Sequence, residues 1–275
     1  MTFKAFLRGT ASVAGLLVLG SAAMAADLPS RKIEAAPPVM IDTFHPFQIR
    51  LRATAVIPDG KTTWYDQAGL LTGLLSAGPG SQIFGSGAKV STAIIPEVDV
   101  SYYFTKNIAI EAICCLSKHS VTGTGWLQGL NVGSTWVFPP TVMLQYHFTN
   151  FGAFQPYIGV GVNFTAFFGT KPGNSFQPFF TPIGLVGSNA VTNLSISSSW
   201  GVAGQVGFDY MLNSNWGVNV DVKRIMMQPT ATGTVFNSLG IILPVRAKVN
   251  IDPWVVSAGI TYRFGGGAGA VVAKY

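Results

Sequence analysis

The side chains able to do chemistry fall into three sets: three histidines, two adjacent cysteines and nine charges on alternating positions. An acyl-transfer site needs a nucleophile, a base and an orienting acid within hydrogen-bond reach. His45 falls in a Pro-rich lead-in, His119 at the start of an outer connection and His147 near the opposite end of a strand. Residues at opposite ends of one strand framework share no site, so the histidines read as solvated or interfacial groups and no enzyme is expected. Cys114 and Cys115 point to opposite faces of any strand that holds them, which disfavours a mutual disulfide and makes them small apolar fillers. No Cys, His and carboxylate spacing suggests zinc, and no Gly-rich loop opens a helix to hold phosphate, so no metal and no cofactor is expected.

The charges carry more information. Arg50, Arg52, Glu97, Asp99, Glu111, Asp209, Asp221, Lys223 and Arg263 each occupy the polar face of a stretch whose other face is apolar. Period-two alternation means a strand. From Trp254 to Phe264 it runs without a slip: Trp254, Val256, Ala258, Ile260, Tyr262 and Phe264 against Val255, Ser257, Gly259, Thr261 and Arg263. Aromatics at both ends of the apolar face suit a lipid-facing strand between two headgroup girdles, although a sandwich strand has the same period.

The rest of the chain separates these readings. Strands are expected at Phe47–Ile57, near 94–104, 108–116, 140–148 and 156–165, at Trp200–Tyr210, from Trp216 to Lys223, and from about Val245 to Phe264. Eight strands leave connections that alternate long, short, medium, short, long, short, medium. A soluble sandwich has no reason to sort its loops, whereas an outer-membrane barrel has short periplasmic turns and long extracellular loops. An even count puts both termini in the periplasm. The expected fold is therefore all-β, an eight-stranded antiparallel transmembrane barrel, just wide enough for side chains or one small ligand to fill.

Composition agrees. Lys4 and Arg8, the short apolar run Ala11–Gly20 and Ala23-Met24-Ala25 form a secretory signal peptide over residues 1–25. Its removal leaves 15 basic against 11 acidic residues, a formal +4, with no Lys/Arg-rich run to bind nucleic acid. Charged residues make up 10% of the chain and mean hydropathy is +0.40, yet past the signal no apolar run reaches the roughly 18 residues of a spanning helix. A closed barrel is the remaining way to cross a bilayer. Residues 26–46 form a periplasmic lead-in, 47–264 the outer-membrane barrel and 265–275 a C-terminal extension.

Four blocks then resemble one family: Pro139–Phe148, Phe154–Thr165, Ser199–Tyr210, and Asp252-Pro253-Trp254 with the closing Tyr262-Arg263-Phe264. In this order they are similar to the OmpW/AlkL family of small outer-membrane proteins, over roughly Phe47 to Phe264. The resemblance implies an eight-stranded barrel with an apolar channel that admits small hydrophobic molecules and releases them sideways into the membrane. It also implies assembly by the barrel-assembly machinery through a terminal aromatic. That family usually ends at this aromatic, whereas here Gly265–Tyr275 follows Phe264, so either Phe264 or Tyr275 serves.

Two functions follow. One is passive entry of small hydrophobic molecules, with outer-membrane lipid as the receiving partner. Trp64, Leu70, Leu71, Leu74, Leu75, Phe84, Phe167, Phe168, Phe176, Phe179 and Phe180 would wall an apolar funnel in the long loops, or pack on one another. Pro96, lacking an N–H, would loosen the wall beside strand one or three, or cap its own strand. The other function is a structural or interaction barrel whose loops bind a partner. In either, the inward charges form an ion path or a mutually paired plug.

Overall fold

The computed structural model describes residues 44–69, 78–125, 127–128, 130–175, 189–238 and 240–266. The expected signal peptide, most of the expected lead-in, the tail after Gly266, and Leu70, Leu71, Leu74, Leu75, Phe176, Phe179 and Phe180 lie outside these residues.

In chain order the strands are β1 (Phe47–Ile57), β2 (Lys61–Asp66), β3 (Ser81–Gln82), β4 (Ser86–Val90), β5 (Ala93–Tyr103), β6 (Ile108–Cys115), β7 (Ser117–Gly125), β8 (Asn131–Phe138) and β9 (Thr141–His147). They continue with β10 (Phe154–Pro172), β11 (Asn174–Ser175), β12 (Asn189–Ile196), β13 (Ser199–Met211), β14 (Trp216–Met227), β15 (Thr230–Asn237), β16 (Ile242–Asn250) and β17 (Trp254–Phe264). Eight of them close into an antiparallel barrel in the order β1, β5, β6, β9, β10, β13, β14, β17, with β17 returning to β1 from Phe47↔Phe264 to Ile57↔Trp254. Each of the eight strands has a partner on both sides, and such closure is what lets strands span a bilayer.

The outward faces are apolar. Leu51, Val98, Val100, Leu144, Ile158, Val160, Val206 and Ile260 are all exposed. At the periplasmic rim the rings touch in sequence: Tyr102 meets Phe47 at 5.3 Å and Phe104 at 5.2 Å, Phe47 meets Phe264 at 5.6 Å, and Tyr262 meets Trp216 at 4.6 Å. This is an aromatic girdle at the headgroup level. The periplasmic turns are fixed by their own side chains. Thr105 Oγ1 accepts from the Ile108 N–H at 3.0 Å, and Asn213 Oδ1 accepts from the Trp216 N–H at 2.8 Å.

On the other side the wall continues as strands where loops were expected. β4, β7 and β8 extend it beside the upper half of β10, and β11, β12, β15, β16, β2 and β3 form a second sheet. The expected strand over Val245–Phe264 is two strands. Asp252 takes φ 34°, Pro253 has no N–H to offer a ladder, and Asp252 Oδ1 instead accepts from the Met227 N–H at 3.0 Å.

Candidate functional site

Alternation and short periplasmic turns place the charges at one level of the lumen. β1 lies between β5 and β17, so Arg50 pairs in register with Asp99, and Arg52 with Glu97. The side chains then reach across. Arg50 meets Glu111, holds Asp209 through Nη2 at 2.9 Å, and lies 5.1 Å from the Tyr157 ring centroid. Arg52 reaches Glu97 at 2.8 Å, Asp99, and Asp221 at 2.7 Å. Its contact with Asp99 is Coulombic, because neither Asp99 oxygen finds a hydrogen-bond partner. Lys223 bridges Glu97 and Asp221, both at 3.1 Å. Arg263 binds Asp209 at 3.1 Å and donates through Nε to Gln48 Oε1 at 2.8 Å.

The ion pairs make two sets, Arg50 and Arg263 with Glu111 and Asp209, and Arg52 and Lys223 with Glu97, Asp99 and Asp221, and the amides of Gln205 and Asn219 join them. While Asp99 and the Arg52 Nε and Nη2 are held by charge alone, Gln145, Gln205, Asn219, Ser257 and Tyr157 add neutral hydrogen bonds to the network, for example Gln145 to Glu111 at 2.6 Å and Asn219 to Asp209 at 2.8 Å. Gly207 makes room for it, since a Cβ there would stand 2.5 Å from Asp221 and 2.7 Å from the Tyr157 hydroxyl. Every strand of the barrel contributes a buried polar side chain. Desolvated ions tolerate such a site only when paired and hydrogen-bonded, and here the pairing spans the lumen.

Above the charges the lumen changes character. Ile113, Met143, Ala203, Ile225, Met227 and Val255 form an apolar layer, and Trp64, Ile83, Leu127, Leu130, Val132, Val191, Val235, Leu243, Val245 and Ala247 form a second cluster in the extracellular extension. A cavity of about 100 Å³ is lined by both clusters, with the Glu97–Lys223 pair reaching its edge. Sequence reasoning missed Ile225 and Met227 by ending their strand at Lys223. The signal was present, because Lys223, Ile225 and Met227 continue the same alternation to the end of β14.

The loop aromatics divide. Trp64 and Phe167 line the cavity. Phe84 and Phe168 do not: they are 72% and 47% exposed, because each falls on the outward side of its segment, so their expected place in the wall is corrected. The histidines also need correction, since two of them are buried rather than solvated or interfacial. His147 sits in the lower lumen, with Nε2 3.0 Å from Gln145 Oε1 and its ring between those of Tyr103 and Tyr157. His119 lines the cavity, bonding through Nδ1 to the Ser91 carbonyl at 2.6 Å and through Nε2 to Ser117 Oγ at 3.0 Å. Cys115 lines the cavity and Cys114 faces outward. No group of three or more metal-ligating side chains occurs among the described residues.

Pro96 pairs opposite Ala53 of β1, but its effect falls on the other flank. The Tyr103 N–H points to Pro46 before β1, whereas the Phe104 N–H points to Ile108 of β6. Alternation then turns the nitrogen of Pro96 toward β6. The β5–β6 ladder ends there at Glu97↔Cys115, and pairing resumes only where the Ser91 N–H donates to the Ser120 carbonyl at 3.0 Å. Residues 92–96 and 116–119 face each other across a seam without a regular ladder. Cys115, Ser117, His119, Val90 and Glu97, on its two sides, also line the cavity.

The OmpW family profile matches residues 43–264. The outer-membrane protein y4mB of Sinorhizobium fredii is 36% identical over 94% of this chain and 97% of its own length. Outer membrane protein W of Vibrio cholerae is 35% identical over 60% of this chain and 71% of its own. Among solved structures, the outer membrane protein OprG from Pseudomonas aeruginosa superposes with a TM-score of 0.64 at 27% identity, covering 82% of this chain and 98% of that one. The chain belongs to the OmpW family, and it is a β-barrel of the bacterial outer membrane.

Proposed function

We propose that the barrel gives small hydrophobic molecules a passive route from the cell exterior into the outer membrane, leaving through the wall and never crossing the charged half. The observation that carries this reading is an apolar cavity seated on a lumen that ion pairs fill. Its size is of the order of the roughly 150 Å³ apolar cavity that holds one benzene. An apolar solute gains by entering such a space and gains nothing by displacing paired ions beneath it. The seam at Pro96 supplies the exit: it borders the cavity, its outward residue Ile94 is 80% exposed, and opening it breaks few ladder bonds.

This role needs no catalytic group; the protein lowers a barrier by offering a dry path. Phe264, which closes β17 and stacks on Phe47, is the aromatic we assign to the barrel-assembly machinery.

Uptake of a labelled apolar compound by cells carrying the wild type, Ala88→Phe in the cavity wall or Pro96→Val at the seam tests the proposal, with surface levels matched. Both variants should slow uptake while a hydrophilic solute of equal size stays excluded throughout. Equal uptake in all three, and in cells lacking the protein, would leave a barrel that binds partners through its loops.

A further inference from the structure

The extracellular part of the chain, outside the lumen network, carries seven basic residues: Lys61, Lys89, Lys118, Lys171, Arg224, Arg246 and Lys248. Against them stand Asp59, Asp66 and Asp252. Asp66 is buried, with its Oδ1 accepting from the Ala68 and Gly69 N–H groups, and Asp252 accepts from Met227. Asp59 is the exposed one of the three, and Arg224 takes it at 3.2 Å. Lys61, Lys89, Lys118, Lys171, Arg246 and Lys248 are exposed and form no ion pair with a carboxylate among the described residues.

They gather in two places. On one flank β2 and β16 pair Asn250 with Lys61, Lys248 with Thr63 and Arg246 with Tyr65, so three cations share one outward face, and Lys248 lies over the Tyr65 ring at 5.8 Å. On another, Lys118 pairs with Trp136, Lys171 with Ser134 and Lys89 with Thr122 across β7, β8, β10 and β4. A half-exposed tryptophan marks the foot of each group. Trp254 lies under Arg224, 4.7 Å from its guanidinium, and Trp136 lies under Lys118 at 5.9 Å. Indole rings at this rim sit at the boundary of hydrocarbon and headgroups. The remaining cations stand two to eight residues farther out, at about 3.4 Å of strand per residue. Along the strand Lys171, Lys61 and Lys89 therefore lie about 7–14 Å beyond the rings and Lys248 and Arg246 about 20–27 Å, so the tilted strands bring the first three to the phosphates and the last two over the inner sugars of the outer leaflet.

We propose that these two clusters form a binding surface for the phosphate-bearing headgroups of outer-leaflet glycolipid. Exposed like charges repel one another in solution, and an anionic headgroup layer removes that cost while each cation gains at the surface. Lysine and arginine offer phosphate multiple donors, and the Trp136 and Tyr65 rings support the side chains of Lys118 and Lys248.

The experiment compares wild type with Lys61→Gln/Arg246→Gln/Lys248→Gln and with Lys89→Gln/Lys118→Gln/Lys171→Gln. Each is reconstituted in phosphatidylcholine vesicles containing bisphosphorylated lipid A, or the same lipid stripped of its phosphates. Lipid retained on the detergent-extracted barrel is counted by native mass spectrometry. Fold is checked separately by heat-modifiable gel mobility. Wild type should retain the phosphorylated lipid in preference to the stripped one, and each triple variant should lose retention by on the order of tenfold or more while migrating as folded barrel. Equal retention of both lipids by wild type, retention unchanged in folded variants, or full displacement by millimolar inorganic phosphate would each overturn the proposal.

Discussion

The lower half of this barrel rests on eight strands, the upper half adds β2, β4, β7, β8, β12, β15 and β16 to the wall, and the two differ sharply in what faces inward. Toward the periplasm, Arg50, Arg52, Lys223 and Arg263 meet five carboxylates in two buried sets of ion pairs joined through Gln205. Toward the exterior, Ile113, Ile225, Met227 and Val255 face an apolar cavity. The same alternation that keeps the outside uniformly apolar leaves the inside free to vary along the axis. A filled lower half gives the barrel specific cross-braces, while an unfilled upper half gives it room. The stability of the one and the emptiness of the other are separable, and substitutions in each should move different measurements.

The largest effect is expected from Arg52→Ala. It leaves Glu97, Asp99 and Asp221 facing one another with only Lys223 between them. Breaking a buried pair in this way costs about 3–5 kcal/mol. Urea unfolding in lipid should show that loss. If the variant still folds, planar-bilayer conductance should rise above that of wild type. Arg50→Ala/Arg52→Ala should exceed the single change in both.

The next effect belongs to the cavity. Ala88→Phe overfills its wall, and an overpacking cost of about 1–3 kcal/mol passed on to the bound solute would slow apolar uptake by roughly tenfold. Conductance should not change, since the ion pairs beneath are untouched. A rise in conductance would mean the two halves are mechanically coupled.

Legibility in the sequence followed the same division. The barrel strands could be read because lipid outside and a narrow lumen inside enforce strict alternation, and β1 runs from Phe47 to Ile57 as its pattern requires. The nine charges could be assigned inward for the same reason. Their partners could not: Arg50 reaches past its register neighbour Asp99 to Glu111 and Asp209, a choice set by side-chain length and lumen width rather than by strand order. The extracellular strands were hidden because the extension is stabilised by a dry cluster around Trp64 and Val132, drawn from six segments of the chain. Gly- and Ser-rich composition there reads as loop. His147 was misplaced because a polar ring near a strand end resembles an interfacial residue until the Tyr103 and Tyr157 rings enclose it.

Smaller effects sharpen the upper half. Pro96→Val returns an N–H to the seam, and one added hydrogen bond should raise stability by about 0.5–1.5 kcal/mol and lower amide exchange at Leu116–His119. Uptake should fall with it. Phe84→Ser tests the opposite limit. Phe84 lies exposed and away from the cavity, so unfolding should shift by no more than about 0.5 kcal/mol and uptake should match wild type. A strong uptake defect there would move the entrance to the outer turn.

The most direct measurement places wild-type barrel in lipid vesicles and follows two reporters at once: transfer of a single-ring apolar fluorophore from the outer solution into the bilayer, and release of a hydrophilic dye trapped inside. An apolar route above a closed lumen predicts that the barrel accelerates the first severalfold, that Pro96→Val removes most of the acceleration, and that the dye stays trapped throughout. Dye release keeping pace with fluorophore transfer, or fluorophore transfer no faster than in protein-free vesicles, would contradict it.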